Sequence, residues 1–277
     1  MRRTALLVVA LVLAGSCAAG ACSFFSYAGD DLVLFGNSED HFDEDTWIWY
    51  VPSTARDYGC LFLGFGTDFA QGGVNSAGLA FDAAAIDRTP LDDHPELPTP
   101  DPINFCEIVL RTCATIDEAI ERMRSYNLSF IEGAQFQLTD RTGASVVVAP
   151  GPDQEVAFMR AEKPFQVTTN TNTAVFPHIH QTCSRHQRVT KALETIEAGD
   201  SELSVETFAS ILASVAFVSG PSETMYSNVF DLTNGLATIY HRHDFEHAAI
   251  LDISALEAAG KAVATRIADL ASEASGT

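Results

Sequence analysis

Cys22-Ser23-Phe24-Phe25-Ser26-Tyr27-Ala28-Gly29-Asp30-Asp31-Leu32-Val33-Leu34-Phe35-Gly36-Asn37-Ser38-Glu39-Asp40 is the most informative stretch of this 277-residue chain. It reads as strand, turn, strand. Residues 22–28 are short and aromatic-rich, Gly29-Asp30-Asp31 turns, and Leu32 to Phe35 is apolar. The hairpin then ends in Gly36 to Asp40, which reads as a polar turn.

Immediately upstream, Arg2 and Arg3 precede an apolar run from Thr4 to Ala14, too short to span a bilayer. Ala19-Gly20-Ala21 is an A-x-A cleavage site with Cys22 directly behind it. Residues 1–21 are therefore expected to be a signal peptide, and 22–277 a single domain; taking 21 from 277 leaves 256 residues. No later segment is apolar for long enough to be a transmembrane helix, so no stable membrane insertion is expected. The mature chain is expected to be secreted or periplasmic. The rival is a lipid anchor on Cys22 or Cys17, although the usual Leu three residues upstream is missing from both.

The formal charge is −21, with 47% hydrophobic and 19% charged residues. That composition builds a core, and its acidity repels nucleic acid and anionic membranes. Solubility in a salty or exposed setting explains the charge; steering of cationic substrates is the sharper reading. Once residues 1–21 leave, five cysteines remain: Cys22, Cys60, Cys106, Cys113 and Cys183. The odd number leaves at least one thiol unpaired within the chain, and two disulfides are allowed. Cys106 and Cys113, seven apart on one helix, lie about 10 Å apart and cannot bond there.

Further strands are expected at 47–51, 61–65, 79–86, 134–139, 145–149, 156–159 and 166–169, with a hairpin at 225–232 and 236–241. Gly72 to Gly78 reads as a tight loop. Residues 87–102 hold five prolines and form a surface loop, a candidate lid. Helices are expected at 103–112, after the Thr115–Glu118 capping box, at 184–198, at 204–217, and as one amphipathic helix from Ser254 to Ala271. Strand runs separated by paired helices imply helix-covered mixed sheets rather than βαβ units. No G-x-G-x-x-G or P-loop occurs.

Cutting after Ala21 would put a thiol and a free α-amine on one residue. An amine with a pKa near ~8 is partly neutral at pH 7 and can take the thiol proton. The thiolate then attacks an amide carbonyl. Such a site also needs an oxyanion donor and a carboxylate to hold the ammonium. Asp40 is the candidate carboxylate, or else an Asx-turn residue. Asn170 is the candidate donor, or else a cap. Arg185 and Arg188 are candidates to support the thiolate, or else helix-surface arginines. His178, His180 and His186, and His241, His243 and His247, form two clusters that surface placement explains without a metal; Cys183 near His186 is an unspecific pair. No metal and no cofactor is expected.

Ala21-Cys22-Ser23-Phe24, Leu34 to Asp40, Gly72 to Leu79, Arg111 to Thr115, Thr169 to Asn172, Ser184 to Arg188 and Tyr226 to Asp231 occur in an order that resembles the N-terminal-nucleophile linear amide hydrolases. These include choloylglycine hydrolases, penicillin V acylases and isopenicillin N acyltransferase-like enzymes. The resemblance implies an α+β fold, a four-layer αββα sandwich of two stacked, mainly antiparallel sheets. It implies Cys22 as nucleophile, Asp40 as holder of its amine, Asn170 in the oxyanion hole and Arg188 or Arg185 beside the thiolate. Asn37, Asp82 and Asn75 are expected to bind substrate. Two positions depart from the bile salt branch. It usually carries Arg where Asn37 stands, and Asn or Tyr where Ala85 stands, so a backbone donor or Asp82 is expected to reorganise that part of the site. The implied activity is hydrolysis of a small-molecule N-acyl amide through an acyl-thioester. Acyl transfer, and a lipid-anchored binding protein on the same fold, are the alternatives; assembly into a homo-oligomer is left open.

Overall fold

The computed structural model describes residues 22–178, 182–218 and 222–275. The expected signal peptide and cleavage site, Cys17 and His180 lie outside the described residues. The first strands, β1 (Ser23–Ala28) and β2 (Val33–His41), pair antiparallel from Ser23–Ser38 to Ala28–Val33. The turn between them is closed by the Gly29 N–H donating to the Leu32 carbonyl at 2.9 Å. Residues 36–40 are a correction to the sequence reading. They continue β2 as a central strand, with Gly36 to Ser38 paired to β1 and Gly36 to Asp40 paired to β11 (Glu223–Asp231) on the other edge.

Sheet order is β10 (Phe165–Thr168), β1, β2, β11, β12 (Leu236–His241), β13 (Ala248–Asp252) in the first sheet. The second holds β14 (Val263–Arg266), β3 (Thr46–Val51), β4 (Cys60–Phe65), β5 (Ala70–Asn75), β6 (Ala80–Ala85), β7 (Ala134–Thr139), β8 (Ser145–Pro150) and β9 (Val156–Arg160). Every pairing between neighbours is antiparallel.

Strand alternation sorts the apolar residues into three cores and so stacks four layers. Phe24, Phe35, Tyr226 and Phe230 of the first sheet meet Ile48, Leu61, Leu63 and Val74 of the second. Phe25, Leu34 and Val229 point the other way. They pack under α3 (Ser184–Glu197) and α4 (Val205–Val215) through Val189, Leu193, Phe208 and Leu212. On the far side, Phe62, Phe81, Phe136 and Val148 pack under α1 (Phe105–Thr112) and α2 (Ile116–Arg124). The result is the expected αββα sandwich.

Two further expectations are corrected. Gly72 and Gly73 lie within β5, not in a loop: a Cβ on Gly73 would come within 2.3 Å of the Leu61 carbonyl, so only glycine lets β4 approach. The segment 254–271 is not one helix. It divides into α5 (Ile253–Ala259), the edge strand β14 and α6 (Ile267–Ser275), and Gly260 stops α5 in the left-handed region at φ 60°. The proline-rich 87–102 segment is tied down rather than free. Asn127 donates to Asp93 at 2.6 Å and to the Pro98 carbonyl at 3.0 Å, and Asp92 donates to the Gln154 carbonyl at 2.8 Å.

Candidate active site

Cys22 is 4% exposed and sits at the entry to β1, with its thiol on the inter-sheet face. Its Sγ lies 3.9 Å from the Asp40 carbonyl oxygen. Burial, with the nearby Glu39 and Asp40 carboxylates, pushes the thiol well above its ordinary value. Burial thus favours the neutral thiol over the thiolate.

Asp40 is on β2 but faces the helix layer, where its Oδ1 accepts a hydrogen bond from Thr224. Thr224 reaches it because β11 bulges between Thr224 and Tyr226. The Thr224 hydroxyl also accepts from the Phe217 N–H at 2.8 Å, which fixes its direction. Asp40 Oδ2 is buried with no partner. Burial lifts this carboxyl to about 6, against the opposing pulls of Thr224, Arg185 and His243.

Arg185, on the first turn of α3, ties three segments together. It donates to the Cys22 carbonyl at 2.6 Å, to Ser23 Oγ at 2.8 Å and to Asn170 Oδ1 at 3.2 Å. The Asn170 amide in turn donates to the Ala85 carbonyl at 3.0 Å, leaving a second N–H on the same nitrogen. Ala85 thus contributes a backbone acceptor at the end of β6. Cys22, Asp40, Asn170 and Arg185 are brought together.

Arg188 is not part of this cluster. It lies exposed one turn along α3 and donates to the Ser214 carbonyl of α4. Asn75 is also elsewhere and corrects the expectation of substrate binding. Its amide donates to the Leu110 and Cys113 carbonyls, both at 2.7 Å, and its oxygen accepts from Ala77 and Leu79. That side chain locks the β5–β6 turn to the end of α1 and has no capacity left for a ligand. Asn37 and Asp82 do face the inter-sheet layer near Cys22. The Asn37 amide steadies the Glu39 carboxyl, and Asp82 Oδ1 accepts from the Ala83 N–H at 2.8 Å.

Three residues that the sequence reading passed over also line this region: Glu39, Thr224 and Tyr226. Their signal is strand parity, hidden once residues 36–40 are read as a turn. Burial, then Asp82 and Asp40, push the Glu39 carboxyl well above the usual range. Among the described residues, no group of three or more His, Cys, Asp or Glu is placed to hold a metal ion. His243 Nε2 donates to the Phe217 carbonyl at 2.9 Å, and His247 pairs with Asp244. All five cysteines from Cys22 onward are free. A cavity of about 300 Å³ between Asn75, Arg141, Leu232 and Glu257 lies at the other end of the strands and belongs to no part of this cluster.

The sequence matches no protein-family model and no curated protein. Solved structures do match. Penicillin V acylase from Agrobacterium tumefaciens aligns with a TM-score of 0.71 at 19% identity, over 88% of this chain and 90% of that one. One variant of conjugated bile acid hydrolase from Clostridium perfringens gives 0.73 at 15% identity, over 89% and 96%, and another gives 0.69 at 16%, over 88% and 97%. This chain shares its four-layer fold with these solved structures.

Proposed function

We propose that this chain is exported, loses residues 1–21, and hydrolyses a linear amide through Cys22 as its N-terminal nucleophile. The observation that carries the reading is the convergence on Cys22. Arg185 grips its carbonyl and Asn170 together, while a buried Asp40 oxygen one strand away lacks a partner. A buried carboxylate oxygen without a donor is costly, and an α-ammonium released at position 22 is the group that would offset it.

In this mechanism the neutral α-amine takes the Cys22 proton as the sulfur attacks the amide carbonyl. The burial-raised thiol makes that transfer concerted with attack. The second N–H of Asn170 is available to the developing oxyanion. The amine passes the proton to the leaving nitrogen, which departs as a free amine and leaves an acyl-thioester on Cys22. Water, deprotonated by the same amine, cleaves the thioester to a carboxylic acid and restores the thiol. Asp40 holds the amine in place throughout, and Arg185 positions the backbone of Cys22. No described helix is long and apolar enough to cross a membrane.

The test is mass spectrometry of the exported protein together with a substrate panel of penicillin V, conjugated bile acids, acyl-homoserine lactones and N-acyl amino acids. A free Cys22 N-terminus is expected, with hydrolysis of at least one panel member that falls at least ~100-fold in Cys22→Ser. A lipid-modified Cys22, or unchanged turnover in that variant, ends the proposal.

A further inference from the structure

The inter-sheet face around Cys22 is more polar than a nucleophile alone requires. Ser23 pairs with Ser38, so Cys22, one residue earlier, stands opposite Glu39, and Glu39 pairs with Tyr226. The next row on the same face is Phe24, Asn37 and Asn228. The row beyond it carries Phe35 and Phe230. Asn37, Glu39, Tyr226 and Asn228 are each 2% exposed or less, as is Asp82, which reaches in from β6. The Tyr226 hydroxyl is pushed upward by burial and then by Glu39, on its own sheet, and Asp82, on the facing one.

The hydrogen-bond accounting does not close. Both ends of the Asn228 amide and the Tyr226 hydroxyl are buried without partners, while Glu39 is steadied by the Cys22 thiol and the Asn37 amide. Native interiors leave few unpartnered atoms, and here three fall on two residues of one strand face. The carboxyls also oppose one another: burial, then Asp82 and Asp40, act on Glu39, while the Arg185 guanidinium acts on Asp40, on the opposite face of β2. Neighbouring buried carboxyls resist ionising together, and a guest cation would let them.

Building on the proposed hydrolase reading, we propose that Asn37, Glu39, Asp82, Tyr226 and Asn228 form a substrate subsite beside Cys22 that receives a protonated amine or guanidinium. The carboxyls supply the charge. The amide oxygens and the phenol accept or donate the remaining hydrogen bonds, as a multi-donor cation requires. Neighbouring strands are about 5 Å apart, so Glu39 and Tyr226 stand about 5 and 10 Å from the sulfur. That spacing suits an amide whose cationic group lies a few bonds from the scissile carbonyl, as in an N-acyl diamine or an amide of a basic amino acid. A chain of net charge −21 also concentrates such cations at its surface.

The test is calorimetric titration of the processed Cys22→Ala protein with N-acetylputrescine, putrescine, methylguanidinium and the uncharged isostere N-pentylacetamide. At least tenfold tighter binding of N-acetylputrescine than of N-pentylacetamide is expected. Glu39→Gln and Asp82→Asn should each remove that preference. Equal affinities, preference retained in both variants, or no binding of any of the three cations overturns the subsite; the last result would mean that the Cys22 ammonium itself satisfies these carboxyls. Should the variants fail to fold, the selectivity of the Cys22→Ala protein decides. Cation-selective binding with no turnover of any amide by the Cys22 protein keeps the subsite and removes the hydrolase. Turnover of neutral amides without cation preference does the reverse.

Discussion

Replacing Asp40 by Asn should make the protein more stable and less active, and the two effects should depend on whether Cys22 is free. Burial raises the Asp40 carboxyl from its ordinary 3.8 to about 6. Below pH 3.8 it is protonated in folded and unfolded chains alike, and no penalty arises. Between 3.8 and 6 the unfolded chain ionises while the folded one keeps its proton, so stability falls as pH rises. Above 6 the folded state carries the full cost, about 3 kcal/mol at pH 7 from a gap of about 2 pH units at ~1.4 kcal/mol each. Asn keeps an oxygen to accept from Thr224 and never ionises. With the upstream residues still attached, Asp40→Asn should therefore gain about 3 kcal/mol at pH 7 but only about 0.6 kcal/mol at pH 4. With Cys22 free, its ammonium offsets the carboxylate, so the gain should drop below about 1 kcal/mol while amide hydrolysis falls at least ~100-fold. Urea unfolding followed by the fluorescence of Trp47 and Trp49, in both forms and at both pH values, measures all four quantities. A variant less stable than the parent at pH 7 in the unprocessed form would mean that Asp40 is structural. Equal gains in both forms would mean that the amine never meets the carboxylate.

Arg185→Ala should lower kcat/KM at least ~10-fold in the processed enzyme, whereas Arg188→Ala should leave it unchanged within twofold and shift stability by less than ~0.5 kcal/mol; steady-state kinetics and melting of the pair check this. Asn75→Ala strands the Leu110 and Cys113 carbonyls, so about 2–4 kcal/mol of stability should be lost with KM unmoved, as read by denaturant unfolding and kinetics. Thiol titration of the unfolded protein, from Cys22 onward, should count all five cysteines without reductant, and the melting temperature should not respond to reductant.

Local patterns were the legible part of this fold. Thr115 caps its helix by accepting from the Glu118 N–H, with the Glu118 carboxylate reaching back to the Ala114 N–H, and the hairpin at Asp140 to Gly143 closes where turn residues cluster. Misreadings arose where a distant strand decides the outcome. Gly72 and Gly73 look like a loop until Asp82 and Leu61 are seen pressing on them. Val263 to Arg266 looks like the interior of a helix until β3 offers an open edge for it to pair with. At the site, the residue types were readable but not the choice between Arg185 and Arg188. Three positions on a helix separate a guanidinium that grips Cys22 from one that faces α4, and only the docking angle of α3 distinguishes them.

The strand β2 explains why this chemistry depends so tightly on register. Asp40 and Glu39 are adjacent in sequence yet serve opposite faces: Asp40 meets Thr224 and Arg185 under the helices, and Glu39 meets Tyr226 and Asp82 between the sheets. A slip of one residue against β1 would exchange them, burying Phe35 under α4 and turning Leu34 into the inter-sheet core. The bulge in β11 prevents such a slip, because only with Met225 as the extra residue do Thr224 and Tyr226 face opposite layers while pairing with Asp40 and Glu39. Gly36 adds a second constraint: a Cβ there would come within 3.1 Å of Phe208 and 3.4 Å of Phe25, so the rings under α4 would have to shift to admit one. The hydrophobic pattern of β2 thus fixes which carboxyl faces the helix layer beside Arg185 and which faces the space between the sheets.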